Sequence, residues 1–239
     1  VLVDPDAQGL FATDDSAKSR YDKAKKKFQH MIFPLTLVIG DGTGTFDLKS
    51  QEKLIPNMPV TNKNTIVNVF GETSGMKIYS TFDVINMQLI LHFMLKNDES
   101  LSNCCENFNR YLKHDGTLLI TTIDGKLLHE ELMKSPIFNR HYTTETGEKR
   151  LLFEYKKLYT DTNIARTGLA VNFHMASFNE IGTYNTEYIV DPQFLIKTLK
   201  EKCGLKLIET DTFGVQFETH RHFFENVAPF EAKDETNKY

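Results

Sequence analysis

FDVINMQLILHF, residues 82–93, decides the reading of the fold. It opens as a buried strand, collects polar side chains at its end and runs straight into an apolar helix start. TEYIVDPQFLIKTLKEKCGLKL, residues 186–207, is its counterpart, with a lone Glu-Tyr ahead of a helix and a strand. In an open α/β sheet, ligands sit outside the carboxyl ends of the strands. Asn86, Gln88 and His92 are therefore expected to project into a crevice, with Glu187 facing it from the far side. That layout separates a cofactor half from an acceptor half.

Working outward, residues 1–3 read as a short strand closed by Asp4-Pro5-Asp6, and residues 7–27 as one helix with a basic second half. Residues 35–39 are a strand followed by the glycine-rich turn GDGTG, residues 40–44. Residues 47–54 read as a helix, 58–63 as a loop, and 64–80 as either strand or helix. Residues 82–87 are a strand, 100–112 an amphipathic helix, His114-Asp115-Gly116 a turn, 117–122 a strand and 125–134 a helix. Residues 150–159 and 168–175 alternate apolar and polar side chains, as strands with one solvated face do. They predict an antiparallel insert at about residues 148–186. Residues 192–203 are a helix with Gly204 as its stop, 205–208 a strand, and the last segment a helix and then a tail. Strand–helix alternation predicts an α/β fold with a mostly parallel sheet.

The 239 residues, 40% hydrophobic and 25% charged, suit one large domain. A net charge of −4 gives no overall pull on nucleic acid, so any such contact is local. Cys104, Cys105 and Cys203 have neither metal-ligand spacing nor a disulfide framework, which points to a reducing compartment. His220 and His222 lack partner spacing for a metal. No apolar run reaches membrane-spanning length. The chain starts without Met inside an apolar-acidic pattern, and a longer polypeptide is expected.

Four segments together resemble the S-adenosylmethionine-dependent mRNA cap guanine-N7 methyltransferases. The nearest likeness is to the methyltransferase domain of capping enzymes from large cytoplasmic DNA viruses of the poxvirus and asfarvirus kind. VDPDAQGL (3–10) with SRY (19–21) resembles the family's second-strand acid and helix. FDVINMQLILHF resembles its F-D-x-x-x-x-Q-F-x-x-H-Y pattern. GTLLITTIDGKLL (116–128) resembles its fifth strand, and TEYIVDPQFLIKTLKEKCGLKL the segment carrying its guanine-reading glutamate. The likeness runs in order through most of the chain.

The resemblance implies a Rossmann-like class I methyltransferase sheet flanked by helices, over residues 1–239 with the insert. The family's first cofactor motif and its closing strand would lie outside this chain. It implies S-adenosyl-L-methionine as cofactor, a capped GpppN RNA end as partner, a larger capping polypeptide and a cytoplasmic viral setting. No membrane partner is expected.

The same resemblance assigns residues. Asp4 would accept the ribose hydroxyls, since two carboxylate oxygens match a vicinal diol; otherwise it is a helix N-cap or first-turn acid, a role Asp6 could equally fill. Asp41 would accept from the adenine amine. The alternative reading of residues 40–44 is a phosphate-cradling turn. Gln88 would frame the cofactor site and His92 would contact guanine O6, both on one face if a helix begins there. A lone His on an apolar face is more often a core residue. Phe93 stands where the family has Tyr, keeping a ring for stacking and losing the hydroxyl. Glu187 would accept guanine N1–H and N2–H together; otherwise it is a solvated acid near a helix start. Arg20, in a cationic run that otherwise reads as a solvated face, would meet the cap triphosphate.

Guanine N7 has a lone pair and no proton, so no catalytic base is expected and the protein's task is alignment. The alternatives are another adenosylmethionine-dependent methyltransferase, or a non-catalytic domain that keeps the fold as an RNA-binding or docking module.

Overall fold

Side-chain caps set most of the helix starts. A capping oxygen that satisfies an orphan N–H is worth about 1 kcal/mol. Asp6, Ser16, Asp47, Asn97, Asp124 and Asp191 each accept backbone N–H bonds two or three residues on. A computed structural model of the chain describes residues 1–28, 33–71, 82–180 and 182–227. Its elements are β1 (Leu2–Asp4), α1 (Ala7–Phe11), α2 (Ala17–Lys27), β2 (Leu37–Ile39), α3 (Leu48–Leu54) and α4 (Val60–Phe70). β3 (Phe82–Gln88), α5 (Leu91–Met94), α6 (Asp98–Tyr111), β4 (Leu112–Thr121) and α7 (Gly125–Lys134) follow. β5 (Ile137–Thr143), β6 (Lys149–Lys157), β7 (Ala170–Met175), β8 (Asn185–Tyr188), α8 (Pro192–Cys203) and α9 (Phe213–Val227) complete the order.

The chain is α/β, with its parallel strands in pairs. β1 runs parallel to β2 and β3 parallel to β4, whereas β5-β6-β7-β8 form a four-stranded antiparallel sheet. Among the described residues the mostly parallel sheet expected from strand–helix alternation is thus present only pairwise, and the largest sheet is antiparallel. Its strands extend from Ile137 to Tyr188, beyond the 148–186 expected, because β5 joins the ladder ahead of the alternating segments.

Three apolar clusters hold the first unit, Val1–Gly204. Met87, Leu91, Leu95, Leu101, Phe108 and Leu195 join β3, α5, α6 and α8. Leu128 and Leu132 of α7 pack with Tyr155, Val171 and Ile189 at the antiparallel sheet. Val38, Ile66, Phe70 and Tyr111 form the third, with the Phe46 and Phe70 rings stacked at 4.8 Å. Cys104 and Cys105 lie buried in the first cluster, and the Cys203 thiol reaches the Cys105 carbonyl at 3.7 Å. The second unit begins at Leu205 and holds α9.

Several expectations are corrected. The single helix over residues 7–27 is two helices. Ser16 caps α2 and donates to Ala12 O at 2.6 Å, and Asp15 has φ 58°. Short polar side chains in ATDDS offer the backbone local bonds that compete with a continuous helix. Residues 60–63, read as loop, begin α4. The buried Asn62 explains this: its amide accepts from Ile39 N and donates to Ile39 O, both at 2.8 Å. It thereby satisfies the strand edge as a neighbouring strand would. The turn at residues 114–116 lies inside β4, where the ladder jumps from Phe82↔Leu112 to Val84↔Thr117 and residues 113–116 bulge out. Residues 205–208 form no strand; Ile208 is 87% exposed and lacks a ladder. The helix start after residue 82–88 is displaced, since Gln88 ends β3 and α5 begins at Leu91. Of the ambiguous segment 64–80, residues 64–70 are helix and residues 72–80 lie outside the described residues, as does the tail beyond residue 227.

Among the described residues, no helix is long and apolar enough to cross a membrane. No group of three or more His, Cys, Asp or Glu side chains comes together there as a metal site.

Candidate functional site

β3 delivers its polar end to a sharp turn. The Gln88 side chain accepts from Thr121 Oγ1 at 2.5 Å and donates to Asn86 Oδ1. Leu89 follows with φ 52°, a left-handed conformation uncommon outside glycine, and its N–H donates to Thr121 O at 2.9 Å. Strained backbone of this kind concentrates at functional sites. The turn sends α5 across the end of the strand pair and buries His92, 7% exposed. Gln88 and His92 therefore sit on a strand end and a helix, not on one helix face. Phe93 is 40% exposed, its ring centroid 4.2 Å from that of His92 and tilted by 54°.

Glu187 reaches the same place from β8, opposite Val171 of β7. Its Oε1 is 3.6 Å from His92 Nε2, and Glu187 is itself only 9% exposed. That contact would be an ion pair only with a protonated imidazole. Burial opposes this, pushing His92 down to about 4 and Glu187 up to about 7. The neutral ring keeps one donor and one acceptor, and neither nitrogen has a protein partner. Thr122 Oγ1, just past the end of β4, is likewise buried and without a partner.

His92, Thr122 and Glu187 line one narrow cavity with Tyr155, Gly125 and Val190. Three of the four orphaned buried side-chain polar atoms of the described residues belong to His92 and Thr122. Buried polar groups are normally paired with protein or ordered water, so such clustering singles out this cavity. Tyr155 stacks on Phe173 at 4.5 Å, and burial, with the Glu187 charge as the second cause, pushes its phenol up. Gly125 fastens the walls. Its N–H donates to Val190 O at 3.1 Å, and a Cβ there would meet that oxygen at 2.3 Å.

Asp4 and Asp41 form a second, open site at the ends of the β1–β2 pair. Gly40 N donates to Asp4 O at 3.1 Å, which sets the two ends side by side. Asp6 N donates to Asp4 Oδ1 at 2.7 Å, and Thr43 donates to Asp41 Oδ1 through both N and Oγ1 at 2.8 Å. Among the described residues no hydrogen bond reaches Oδ2 of either acid, so both can accept from a ligand. Gln51 holds the Asp41 main chain, accepting from Asp41 N at 2.7 Å and donating to Asp41 O at 2.9 Å. The glycines of this turn pack on protein: a Cβ at Gly42 would meet Met94 Cε of α5 at 2.9 Å. That favours the carboxylate reading of the turn over a phosphate cradle. Arg20 lies exposed on α2, 3.9 Å from Asp15 Oδ1, and no ion pair or hydrogen bond among the described residues ties it to either site.

The structure thus brings His92 to Glu187 and Asp4 to Asp41. Sequence reasoning passed over Thr122, Gly125 and Tyr155. The strand-end rule that selects Gln88 also selects Thr122. Tyr155 carries no such signal, because alternation does not say which face of β6 meets the cavity.

The chain is 39% identical over 224 residues to a probable mRNA-capping enzyme of Acanthamoeba polyphaga mimivirus, across 94% of this chain and 18% of that protein. It is 28% identical over 133 residues to the mRNA-capping enzyme of African swine fever virus, across 52% of this chain and 14% of that protein. The chain is related to the viral mRNA-capping enzymes. It spans less than a fifth of the length of these relatives. No family model matches it.

Proposed function

We propose that the chain is a cap guanine-N7 methyltransferase on a Rossmann-like framework, transferring a methyl group from S-adenosylmethionine to N7 of a GpppN RNA end. The observation that carries the reading is a buried carboxylate 3.6 Å from an unpaired imidazole in one cavity at the end of a parallel strand pair. The relation to viral mRNA-capping enzymes supports an RNA substrate; action in the cytoplasm and within a larger capping polypeptide belongs to the same proposal.

Guanine presents N1–H and N2–H side by side, and one carboxylate accepts both. Glu187 fits that task in its ionised form. His92, held neutral by burial, offers a donor N–H to a base carbonyl such as O6. The Phe93 ring, tilted against His92 and partly exposed, offers a face to the base. N7 methylation leaves the purine cationic, and the Glu187 carboxylate stabilises that charge as it develops. N7 has no proton to remove, so none of these residues acts as a base.

The open Oδ2 atoms of Asp4 and Asp41 fit the hydroxyl and amine donors of the cofactor's adenosine, with Gln88 at the neighbouring strand end. When bound, S-adenosylmethionine supplies an electrophilic methyl group. Arg20 and its cationic neighbours on α2 suit RNA phosphates.

The test is transfer of labelled methyl to GpppA and to GpppA already methylated at guanine N7. Transfer to the first alone is expected. Equal transfer to both, or cofactor binding with transfer to neither, would move the acceptor elsewhere.

A further inference from the structure

We propose that the distal half of the β5–β6 hairpin binds single-stranded RNA, taking the nucleotides that follow the cap; only its alignment with the cap rests on the reading above. β5 and β6 outrun the sheet they belong to. β7 pairs with β6 from Phe153 to Lys157, whereas the β5–β6 ladder continues through His141↔Leu151 to Thr143↔Lys149. Among the described residues no third strand joins that part of the ribbon. Two-stranded ribbons are marginal by themselves, and core packing does not account for the side chains that this one displays. Its turn is held by Thr144 N donating to Glu148 O at 2.8 Å and Gly147 N to Thr144 O at 2.9 Å. The ladder skips Leu152 after Phe153, a bulge of the kind that re-aims side chains.

Directly opposed residues share one face of a sheet. Glu187 opposes Val171, Val171 opposes Lys157, and Phe153, four residues before Lys157, opposes Arg140. Arg140 therefore stands on the Glu187 face. Tyr142, two residues on, stands there too, directly opposite Arg150. The Arg140 guanidinium lies 4.6 Å over the Phe138 ring on the same face. Tyr142 is 41% exposed, and both arginines are exposed. Arg150 pairs with Glu148 of the turn at 2.7 Å, and Arg140 has no acidic partner among the described residues. No acid occupies this face of either strand. In a chain of net charge −4, it is a local cationic and aromatic surface. Single-stranded RNA takes such surfaces, because its bases stack on a ring while cations meet its phosphates. Three strand spacings of about 4.8 Å and four residues of about 3.3 Å separate Glu187 from Arg140, on the order of 20 Å. That is a distance for the nucleotides after the cap, not for the cap guanine.

The experiment measures binding of a short uncapped single-stranded RNA, of the same RNA as a duplex, and of GpppA, by the wild-type chain and by Tyr142→Ala, Tyr142→Phe and Arg140→Gln. Tyr142→Ala is expected to weaken the single strand about fivefold or more, the worth of one stacked base, while Tyr142→Phe keeps the ring and the affinity. Arg140→Gln should reduce the slope of log affinity against log salt by about 0.7, one phosphate contact. GpppA binding should not move, and neither should the melting temperature, since the substituted residues are exposed. Single-strand affinity unchanged in Tyr142→Ala would overturn the proposal, as would a wild-type chain that binds the duplex as tightly as the single strand or binds neither. A wild-type chain that binds the uncapped strand and not GpppA, with the Tyr142→Ala loss intact, would end the guanine reading and leave this surface standing.

Discussion

The two strand pairs end in opposite kinds of chemistry. At the β3–β4 end, His92 and Glu187 are nearly sealed, without hydrogen bonds to each other, and moved by burial toward their neutral forms. At the β1–β2 end, Asp4 and Asp41 stand in or near solvent, each with one oxygen engaged locally and the other open. The first arrangement holds groups that burial drives toward their neutral forms; the second is a pair of ordinary acceptors. Natural sites that depart from stability in this way commonly do so for function. Removing the buried carboxylate should therefore lower activity while raising stability at neutral pH and above. Removing one in the open site should alter binding alone.

The largest expected effect is at Glu187. Glu187→Ala should reduce methyl transfer about a hundredfold or more, with adenosylmethionine affinity within about twofold by calorimetry, since no differential binding is lost there. Parallel loss of both would erase the distinction between the sites. Glu187→Gln should also lose activity while becoming more stable at pH 8, by at most about 3 kcal/mol, the equivalent of moving a carboxyl from 4.5 to about 7. The sign follows from linkage. Glu187 titrates higher folded than unfolded, so its contribution is complete below about 4.5 and is lost as pH rises through about 7. His92 titrates lower folded than unfolded, so its contribution is present above about 6.5 and lost as pH falls through about 4. Wild-type activity should accordingly rise with pH through about 7 as the Glu187 carboxylate forms. Denaturant titrations of both proteins at pH 5 and pH 8 check the first point, and a pH–rate profile the second.

Gly125→Ala comes next. A methyl group at 2.3 Å from Val190 O forces the β4–α7 turn away from the β8–α8 turn. The expected cost is about 1–3 kcal/mol, as for other overpacked sites. It should appear as a lower melting temperature together with weaker GpppA binding, and unchanged thermal unfolding would show that the two walls are not fastened there. Asp4→Ala should weaken adenosylmethionine about tenfold, the worth of one charge-assisted bond, with stability within about 0.5 kcal/mol for an exposed residue. Unchanged affinity by calorimetry would remove Asp4 from the cofactor site. Phe93→Leu is the smallest: a loss of about 1 kcal/mol in transition-state stabilisation, seen in kcat/KM for GpppA. No change would assign the Phe93 ring to packing on His92 alone.

Local chemistry was legible wherever one residue's own preferences decide the backbone. Asp191-Pro192 opens α8, and Gly204, in the left-handed conformation at φ 66°, ends it. Polar residues closing an apolar run marked the end of β3 to within a residue, and put Asp4 at the end of β1 and Asp41 just beyond β2. Misreadings fell where a distant partner decides. Residues 60–63 look like loop because the value of Asn62 lies in bonds to Ile39, 23 positions earlier. The strand expected at residues 205–208 has a strand's composition and no ladder to join.

The candidate site divides the same way. Sequence alone determined that a histidine follows a strand end, that a glutamate precedes a helix, and that acids close two short strands. Tertiary structure alone decided that His92 and Glu187, 95 positions apart, share a cavity, that Thr122 joins them and that Arg20 does not. The physical reason is that side-chain identity fixes what a group can donate or accept. Desolvation, which sets whether His92 and Glu187 are charged, comes from atoms of α5, α7, β6, β7 and β8 that only the folded chain brings together.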